Sequence, residues 1–241
     1  MHDRQPANDR VIRLAGCELQ VGAGAWQFAE RNRVAIDAHW DRRTRANPGF
    51  FNGLIHLLES HELKDGCLTG RLMPVEFKSF LYWKDSGYPD ASVRDAFGSA
   101  LIRSAEGHVL LGRQRAGNLN AGLAYLPGGF IDGRDIMASG LADIDASVAR
   151  EVLEETGLAA ADLERRPGYV LTFAGAMVSI GVEYGSRLPA RELKARILRH
   201  IAADSQSELA EVEIVQWSGD LDRIAMPIYA EVLLRNLFRR P

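Results

Sequence analysis

REVLEETGL, residues 150–158, places three glutamates within a segment of helical character. On a helix, Glu151, Glu154 and Glu155 stand at positions i, i+3 and i+4, so their carboxylates project from one face toward a common point. Three clustered carboxylates repel one another unless a divalent cation neutralises them, and oxygen ligands of this kind suit Mg²⁺ or Mn²⁺ better than zinc. Arg150 lies one turn before Glu154 and can orient it. The alternative is a solvated acidic face that contains an i,i+4 ion pair.

The helix that carries these glutamates is predicted to span residues 144–156. Asp143 or Asp145 can cap its amino end, and Gly157 is placed to end it. A strand over residues 123–126 is expected before it. The apolar residues assigned to the inward side of the helix are Val148, Val152 and Leu153.

The complete pattern is Gly129 ahead of the helix, followed by Arg-Glu-apolar-x-Glu-Glu-x-Gly-apolar at residues 150–158. This pattern resembles the Nudix box. The segment LPGGF at 126–130, which ends the preceding strand, and the later strand around Trp217 are also placed as in that family. The resemblance implies an α/β Nudix fold, with a mixed β-sheet sandwiched between helices. It also implies an enzyme, a metal-dependent hydrolase that acts on phosphoanhydride bonds.

The loop before the helix departs from the usual box. In the family a glutamate follows the glycine after five residues, and the Arg-Glu pair follows that glutamate after seven more. Here Asp135 has the first spacing, but fourteen residues separate it from Arg150, so residues 136–142 form an apparent seven-residue insertion. Counted back from Arg150, the glutamate's place falls on Ala142. The inserted stretch is expected to reach either the substrate or a partner chain. The candidates to replace the structural role of the family's glutamate are Asp132, Asp135, Asp143 and Asp145.

The resemblance also assigns roles to the residues of the box. It implies that Glu154 and Glu155 are metal ligands, that Glu151 is a further ligand or the base that activates water, and that the backbone carbonyl of Gly128 is an additional ligand. The resemblance further implies that Arg150, Glu151 and Glu154 form the catalytic group and that the cofactor is Mg²⁺ or Mn²⁺. Family members often recruit one more glutamate from a later segment. Glu208 and Glu211 are the leading candidates, and the others available are Glu183 and Glu213.

Candidate substrate-binding residues lie near the box and on the strand before it. Arg113 and Arg115 alternate outward from a strand and could hold phosphates through bidentate hydrogen bonds, or they could simply be the solvated end of that strand. Asn118 stands in a polar loop that could contact a sugar or base, or form a simple turn. Gly129 of the box completes this group.

The first ninety residues are predicted to form a small α+β extension. Residues 11–21 are expected to be one strand, a helix is expected around Trp26 to Trp40, and two apolar runs from 54 to 77 flank Lys64-Asp65-Gly66 as in a β-hairpin. The turn formers of residues 84–90 suggest a boundary, with an extension at 1–92 and a Nudix domain at 93–241. The extension would shape the substrate pocket or a homodimer interface.

The arrangement of this extension is similar to that of Nudix proteins related to UDP-sugar hydrolases. The similarity rests on PGFFNG at 48–53, the hairpin that follows and the segment 77–83. It favours a nucleoside diphosphate sugar as substrate. The alternatives are ADP-ribose, a dinucleotide or a nucleoside triphosphate, or, in another class, a non-catalytic nucleotide sensor or interaction module.

Composition limits the partners and the location. The formal net charge of −3, from 32 acidic and 29 basic residues, provides no basic field that would favour nucleic acid as the main partner. The resemblance to the Nudix family implies a small nucleoside diphosphate derivative as the partner. No apolar run approaches the length needed to span a bilayer, and residues 1–10 are polar rather than signal-like, so no membrane association and a cytoplasmic location are expected. Cys17 and Cys67 are expected to remain reduced and to serve in packing.

Overall fold

The computed structural model describes residues 9–159 and 161–239 and contains two β-sheets and six α-helices within that part of the chain. The strands are β1 Arg10–Leu14, β2 Gly16–Val21, β3 Leu54–Lys64, β4 Cys67–Glu76, β5 Asp95–Arg103, β6 Val109–Gln114, β7 Ala124–Tyr125, β8 Gly128–Phe130, β9 Glu164–Arg165, β10 Tyr169–Ala174, β11 Met177–Gly185 and β12 Leu209–Val215. The helices are α1 Gln27–Arg31, α2 Arg33–Ala46, α3 Phe77–Asp85, α4 Ile144–Thr156, α5 Ala190–Ala203 and α6 Ile228–Leu237.

The larger sheet has nine strands and is mixed. Its main order is β1-β10-β11-β5-β6-β12, with β7, β8 and β9 paired to β6, β5 and β11. Only the β11–β5 pair is parallel among these pairings. Side chains of α4 and α5 share one core with one face of the sheet, and side chains of α6 pack on the other face. The expected mixed sheet between helices is therefore confirmed.

The smaller sheet has the order β2-β4-β3 and lies in the first ninety residues. The predicted hairpin is present, with β3 and β4 joined at Asp65 (φ 51°) and Gly66 (φ 73°). Two consecutive positive φ angles are the signature of the turn that matches the twist of paired strands. Aromatic side chains form a separate core beside this sheet, in which Trp26, Phe80 and Trp83 are buried.

Two expectations for the amino-terminal region were wrong in detail. Residues 11–21 form two strands, because the chain bends at Ala15, where the backbone N–H of Ala15 donates to the Gly66 carbonyl at 2.7 Å. As a result β1 pairs with β10 of the large sheet, whereas β2 pairs with β4 of the small one. The predicted helix around Trp26 to Trp40 is interrupted at Asn32, whose side-chain amide donates to the Phe28 carbonyl at 2.8 Å.

The insertion at 136–142 joins the box loop to the small sheet. Leu141 forms an antiparallel bridge with Gln20 of β2. The backbone N–H of Val21 donates to the Gly140 carbonyl, and that of Ala142 donates to the Leu19 carbonyl, both at 2.9 Å. These bonds satisfy backbone groups at an otherwise open sheet edge. The insertion thus pairs with an edge strand of its own chain, an arrangement that the sequence analysis did not anticipate.

The two cysteines do not form a disulfide bond with each other in this structure. Cys17 and Cys67 are free and half-buried, and burial raises the pKa of the Cys17 thiol to about 12, so this thiol is protonated at neutral pH.

Across the described segments, no helix combines the length and apolar character that crossing a bilayer requires.

Candidate active site

Helix α4 forms the base of the site, and its ends are those predicted. The Asp143 carboxylate accepts a hydrogen bond from the N–H of Ala146 at 2.9 Å, and Gly157 ends the helix in the left-handed region at φ 69°. A side chain at Gly157 would also collide with the ring of His200, since a Cβ would lie 2.7 Å from it. Both local signals in the sequence therefore mark the true ends of the helix.

The inward side of α4 differs from the prediction at one residue. Val148 and Val152 are buried as expected, but Leu153 is 52% exposed. Leu153 lies five positions after Val148. In a helix of 3.6 residues per turn this spacing rotates the side chain by roughly 140°, so the two side chains point in different directions. Buried Glu155 lies on the core side of α4 instead.

Glu155 connects α4 to the loop that carries the glycines. Its side chain is only 5% exposed. One carboxylate oxygen accepts a hydrogen bond from the Tyr125 hydroxyl at 2.5 Å, and the other accepts from the N–H of Gly128 at 3.2 Å. Burial raises the pKa of Glu155 well above its ordinary value, and these two donors act against that shift. Tyr125 was not singled out in the sequence, because a tyrosine in a short strand has no local signature of this contact.

Glu151 lies against the glycine loop. A Cβ at Gly129 would lie only 2.9–3.0 Å from the Glu151 carboxyl group, so any larger residue would displace this carboxylate. Arg150 donates to Glu151 at 3.0 Å. Burial raises the pKa of Glu151 to about 7, an effect that Arg150 opposes and the charge of Glu154 reinforces. A carboxylate with a pKa near neutrality can accept a proton at physiological pH.

Glu208 is the acidic residue from outside the helix that shares this electrostatic environment. Desolvation and then the charge of Glu154 raise the pKa of Glu208, whose partner in hydrogen bonding is Gln114. The charge of Glu208 in turn contributes to the raised pKa values of Glu151 and Glu155. Glu154 itself is exposed to solvent. Four carboxylates from two separate segments thus act on one another electrostatically.

The donor set of this cluster suits a hard divalent cation. Carboxylates that lie close together at partly buried positions repel one another and lose part of their hydration. A cation bound among them neutralises their charge and replaces the lost water as a partner of their oxygens. In the conformation seen here, no three acidic, histidine or cysteine side chains within the described ranges are yet close enough to form a complete metal site. Glu154 and Glu208 are exposed, and side chains at exposed positions change rotamer readily.

Comparison with known proteins identifies the family. The family model for the NUDIX domain matches residues 93–217, slightly more than half of the chain. The chain belongs to the Nudix family. The resemblance that the box residues suggested is therefore confirmed.

Three solved structures are similar to this chain at low sequence identity. Nudix hydrolase RenU from M. smegmatis is 18% identical, with 60% of this chain and 83% of that chain covered and a TM-score of 0.42. The MutT protein from Methanosarcina mazei Go1 is 24% identical, with coverage of 59% and 91% and a TM-score of 0.40. The C. elegans Ap4A hydrolase is 16% identical, with coverage of 59% and 93% and a TM-score of 0.40. No curated protein matches the sequence. Similarity this low carries no information about the substrate.

Asp135 supports the loop of this Nudix box. It is buried and receives Arg150 Nη2 at 2.6 Å on one oxygen and the N–H of Asp132 at 2.9 Å on the other. Its own carbonyl accepts the N–H of Asp143 at 2.8 Å, which closes the base of the insertion. The other candidates act elsewhere, since Asp132 binds Arg134, Asp143 caps α4 and Asp145 pairs with Arg165 at 2.7 Å.

The other acidic candidates of the Nudix chain lie apart from the cluster. Glu211 pairs with Lys194 of α5 at 3.3 Å, and Glu183 pairs with Arg103 at 2.8 Å. Glu213 forms an ion pair with Arg113. Of the two leading candidates, the structure thus brings only Glu208 into the electrostatic neighbourhood of the box glutamates.

Three of the candidate substrate-binding side chains donate hydrogen bonds to backbone carbonyls in this structure, namely those of Arg113, Arg115 and Asn118. Arg113 donates to the Gly122 carbonyl at 2.7 Å, and Arg115 donates to the carbonyls of Ser205 and Leu209 at 3.1 and 3.3 Å. The backbone N–H of Arg115 also donates to the Glu208 carbonyl at 2.7 Å. The side-chain amide of Asn118 donates to the Arg115 carbonyl at 3.5 Å. The bonds of Arg115 thus join the segment around Glu208 to the end of β6.

Arg134 is the cation that the sequence analysis missed. Its side chain is largely exposed, and its Nε and Nη2 donate hydrogen bonds to the Asp132 carboxylate. The negative charges of Glu154 and Glu151 contribute to a raised pKa of this guanidinium group. No local sequence pattern distinguishes it, because its relation to the glutamates arises only when the loop folds over α4.

Proposed function

We propose that this Nudix protein is a divalent-metal-dependent hydrolase that cleaves the phosphoanhydride bond of a nucleoside diphosphate derivative. The observation that carries the proposal is the interacting set of carboxylates on α4 and at Glu208, in which partial burial and mutual repulsion raise the pKa values of Glu151, Glu155 and Glu208. A protein that only bound nucleotides would not require such a costly concentration of acids. The proposed metal is Mg²⁺ or Mn²⁺.

The residues have distinct proposed roles. Glu154, Glu155, Glu208 and the Gly128 carbonyl would hold the cation, which when bound supplies neutralising charge to the phosphate oxygens and lowers the pKa of water. Glu151 would accept the proton of the attacking water, because its carboxylate lies against the glycine loop and is oriented by Arg150. Water adds to one phosphorus, the bridging P–O bond breaks, and the bridging oxygen leaves with the second product.

The remaining polar residues of the site are proposed to position substrate and protein. Arg134 has an exposed guanidinium group that interacts electrostatically with Glu154 and Glu151. It is proposed to contact a substrate phosphate. Arg115 would act by holding the segment that carries Glu208, and Arg113 and Asn118 by holding the loop that follows β6. Gly129 would allow the substrate and Glu151 to approach the backbone closely.

A nucleoside diphosphate sugar is the proposed substrate, with a nucleoside monophosphate and a sugar phosphate as products. The proposal rests on the similarity of the amino-terminal extension to that of UDP-sugar-hydrolysing Nudix proteins. It is supported by the contact between the extension and the box, since the Phe130 ring after the glycines packs edge-on against Phe77 and Phe80 of α3, with centroids 5.8 and 4.9 Å apart. Residues 1–92 would therefore form part of the substrate pocket or a homodimer interface.

The experiment that tests the function is a substrate panel with products identified by mass. Purified protein with Mg²⁺ or Mn²⁺ is offered nucleoside diphosphate sugars, ADP-ribose, dinucleotides and nucleoside triphosphates, in parallel with a reaction that contains EDTA. The expected result is metal-dependent release of a nucleoside monophosphate from a nucleoside diphosphate sugar. Turnover of a different compound would reassign the substrate. No turnover of any compound, combined with tight nucleotide binding, would instead identify a nucleotide sensor.

A further inference from the structure

An open cavity of about 570 Å³ lies where β5 and β11 end, and three arginines line it. Arg13 comes from β1, Arg103 ends β5, and Arg166 follows β9. Ser104 and Glu183 are further lining residues. Cavities of this volume are in the range that accommodates small molecules.

The cavity is separate from the candidate active site. Along β5, Ala100 and Ile102 belong to the core shared with α4, whereas Leu101 belongs to the core beneath α6. Since side chains alternate along a strand, Arg103 points to the same face as Leu101, away from α4. Arg103 is also four residues beyond Ser99, which pairs with Gly128 of the box, a separation of about 13 Å along the strand.

The charges around the cavity do not balance. Glu183 pairs with two of the arginines, with Arg103 Nε at 2.8 Å from one oxygen and Arg13 Nη1 at 3.1 Å from the other. Arg166 has only Glu164 as a carboxylate partner among the described residues, at 4.0 Å, the outer limit of an ion pair. The cavity lining itself therefore contains three guanidinium groups and one carboxylate.

The arginines retain hydrogen-bond donors for a ligand. Arg103 uses Nη1 to bond the Gly107 carbonyl at 3.2 Å, and no bond from its Nη2 occurs within the described part of the chain. The Arg166 guanidinium lies over Gly185, where a Cβ would be 3.0 Å from Nη2 and 3.1 Å from Nε. Glycine at 185 thus lets this planar group lie close to the sheet at the wall of the cavity. Planar guanidinium groups match the oxygens of phosphate, often through two parallel hydrogen bonds.

We propose that this cavity binds a phosphate-bearing anion with two or more negative charges, at a site distinct from the Nudix centre. An internal ion-pair cluster accounts for Arg13 and Arg103 around Glu183, but Arg166 has only the 4.0 Å contact with Glu164, and the lining keeps a net positive charge. A ligand with a single negative charge would not balance the lining. A diphosphate, or a phosphate monoester in its dianionic form, supplies the charge and the oxygens that the three arginines can bind.

Isothermal titration of the full chain with inorganic pyrophosphate, in buffer that contains EDTA, tests the proposal. Without metal, the carboxylates of the Nudix centre repel pyrophosphate, so binding reports on the arginine cavity. We expect one binding site per chain, weakened by added salt. Arg166→Gln and Arg13→Gln should each lower the affinity roughly tenfold or more, since each removes a charge-assisted hydrogen bond. Both side chains are more than half exposed, so both variants should fold, which thermal melting checks.

Two controls distinguish this site from others. Arg33→Gln removes an exposed arginine on α2 and should leave pyrophosphate binding unchanged. Glu151→Gln alters the Nudix centre and should also leave binding unchanged, so the result does not depend on whether the proposed hydrolase function is correct. Absence of binding up to about 10 mM pyrophosphate would overturn the proposal. Equal affinity in wild type and both cavity variants would overturn it as well.

Discussion

Arg150 Nη2 lies 2.6 Å from Asp135 Oδ1, across the loop that precedes the glutamate helix. The same arginine donates to Glu151 at 3.0 Å, so Asp135 and Glu151 share one guanidinium. Asp135 is buried, and its second oxygen receives the N–H of Asp132. The position of Glu151 therefore depends on Asp135, which lies fifteen residues before Arg150 in the chain.

Asp135→Asn should lower both stability and activity. The substitution removes the charge that holds Arg150, and loss of a charge-assisted hydrogen bond of this kind costs about 1–3 kcal/mol. Because Arg150 then no longer orients Glu151 reliably, we expect kcat to fall roughly tenfold or more. Thermal melting and steady-state kinetics measure the two effects. Asp41→Asn, at an exposed position on α2, serves as the control, and wild-type kinetics in Asp135→Asn would contradict the assigned role.

Glu154→Gln should abolish most activity while the protein stays folded. Glu154 is exposed, so its replacement by an isosteric amide costs little stability, but it removes a negative charge proposed to hold the cation. We expect kcat to fall by roughly a hundredfold or more with the melting temperature nearly unchanged. Glu192→Gln on α5 is the matched control. Full activity in Glu154→Gln would refute the proposed metal centre.

Glu208→Gln and Glu211→Gln should behave differently, although the two residues are three apart in sequence. Glu208 interacts electrostatically with the glutamates of α4, whereas Glu211 pairs with Lys194. We expect Glu208→Gln to raise the concentration of Mg²⁺ or Mn²⁺ required for half-maximal activity by roughly tenfold or more, and Glu211→Gln to leave it unchanged. Activity measured at increasing metal concentration tests this difference. A larger increase in the required metal concentration for Glu211→Gln than for Glu208→Gln would exclude Glu208 from the metal centre.

Gly129→Ala should displace the Glu151 carboxylate. The new Cβ would lie within 2.9–3.0 Å of that group, closer than atoms that are not bonded normally approach. Because the atoms that clash are the far end of a flexible side chain, we expect the Glu151 carboxylate to move at little cost in unfolding free energy, and kcat to fall markedly. The matched control is Gly133→Ala, because a Cβ at Gly133 would meet nothing within 4 Å. Equal activity of the two variants would show that the contact does not constrain Glu151.

Asp95→Asn should stabilise the protein at alkaline pH. Asp95 is fully buried at the start of β5, its Oδ1 has no partner within the described ranges, and burial raises its pKa from 3.8 to about 7. Because the folded state binds this proton more tightly than the unfolded state, stability falls as the pH rises from about 4 to about 7. At pH 8 the neutral amide avoids this cost, which is at most roughly 4 kcal/mol.

Denaturant unfolding of Asp95→Asn and wild type at pH 5 and pH 8 measures this effect. The stability difference in favour of the variant should grow between the two values. Asp41→Asn, whose carboxylate is at the surface, should show no such growth. A difference that is constant with pH would mean that Asp95 does not change its protonation in this range.

Some features followed from local sequence, and others did not. The hairpin turn at Asp65-Gly66 and the ends of α4 were predictable, since φ preference, capping and helical spacing act within a few residues. The break at Ala15 was not predictable from residues 11–21, because the Gly66 carbonyl that causes it belongs to a distant turn. The exposure of Leu153 likewise depends on which side of α4 meets the sheet.

The sequence by itself determined the family, the helix and the common face of Glu151, Glu154 and Glu155, because helical geometry places residues three and four apart side by side. Only the tertiary structure decided that Asp135 supports the box, that Glu208 rather than Glu211 joins the acidic cluster, and that residues 136–142 pair with β2. Those choices depend on contacts between segments far apart in the chain, where local periodicity contains no information.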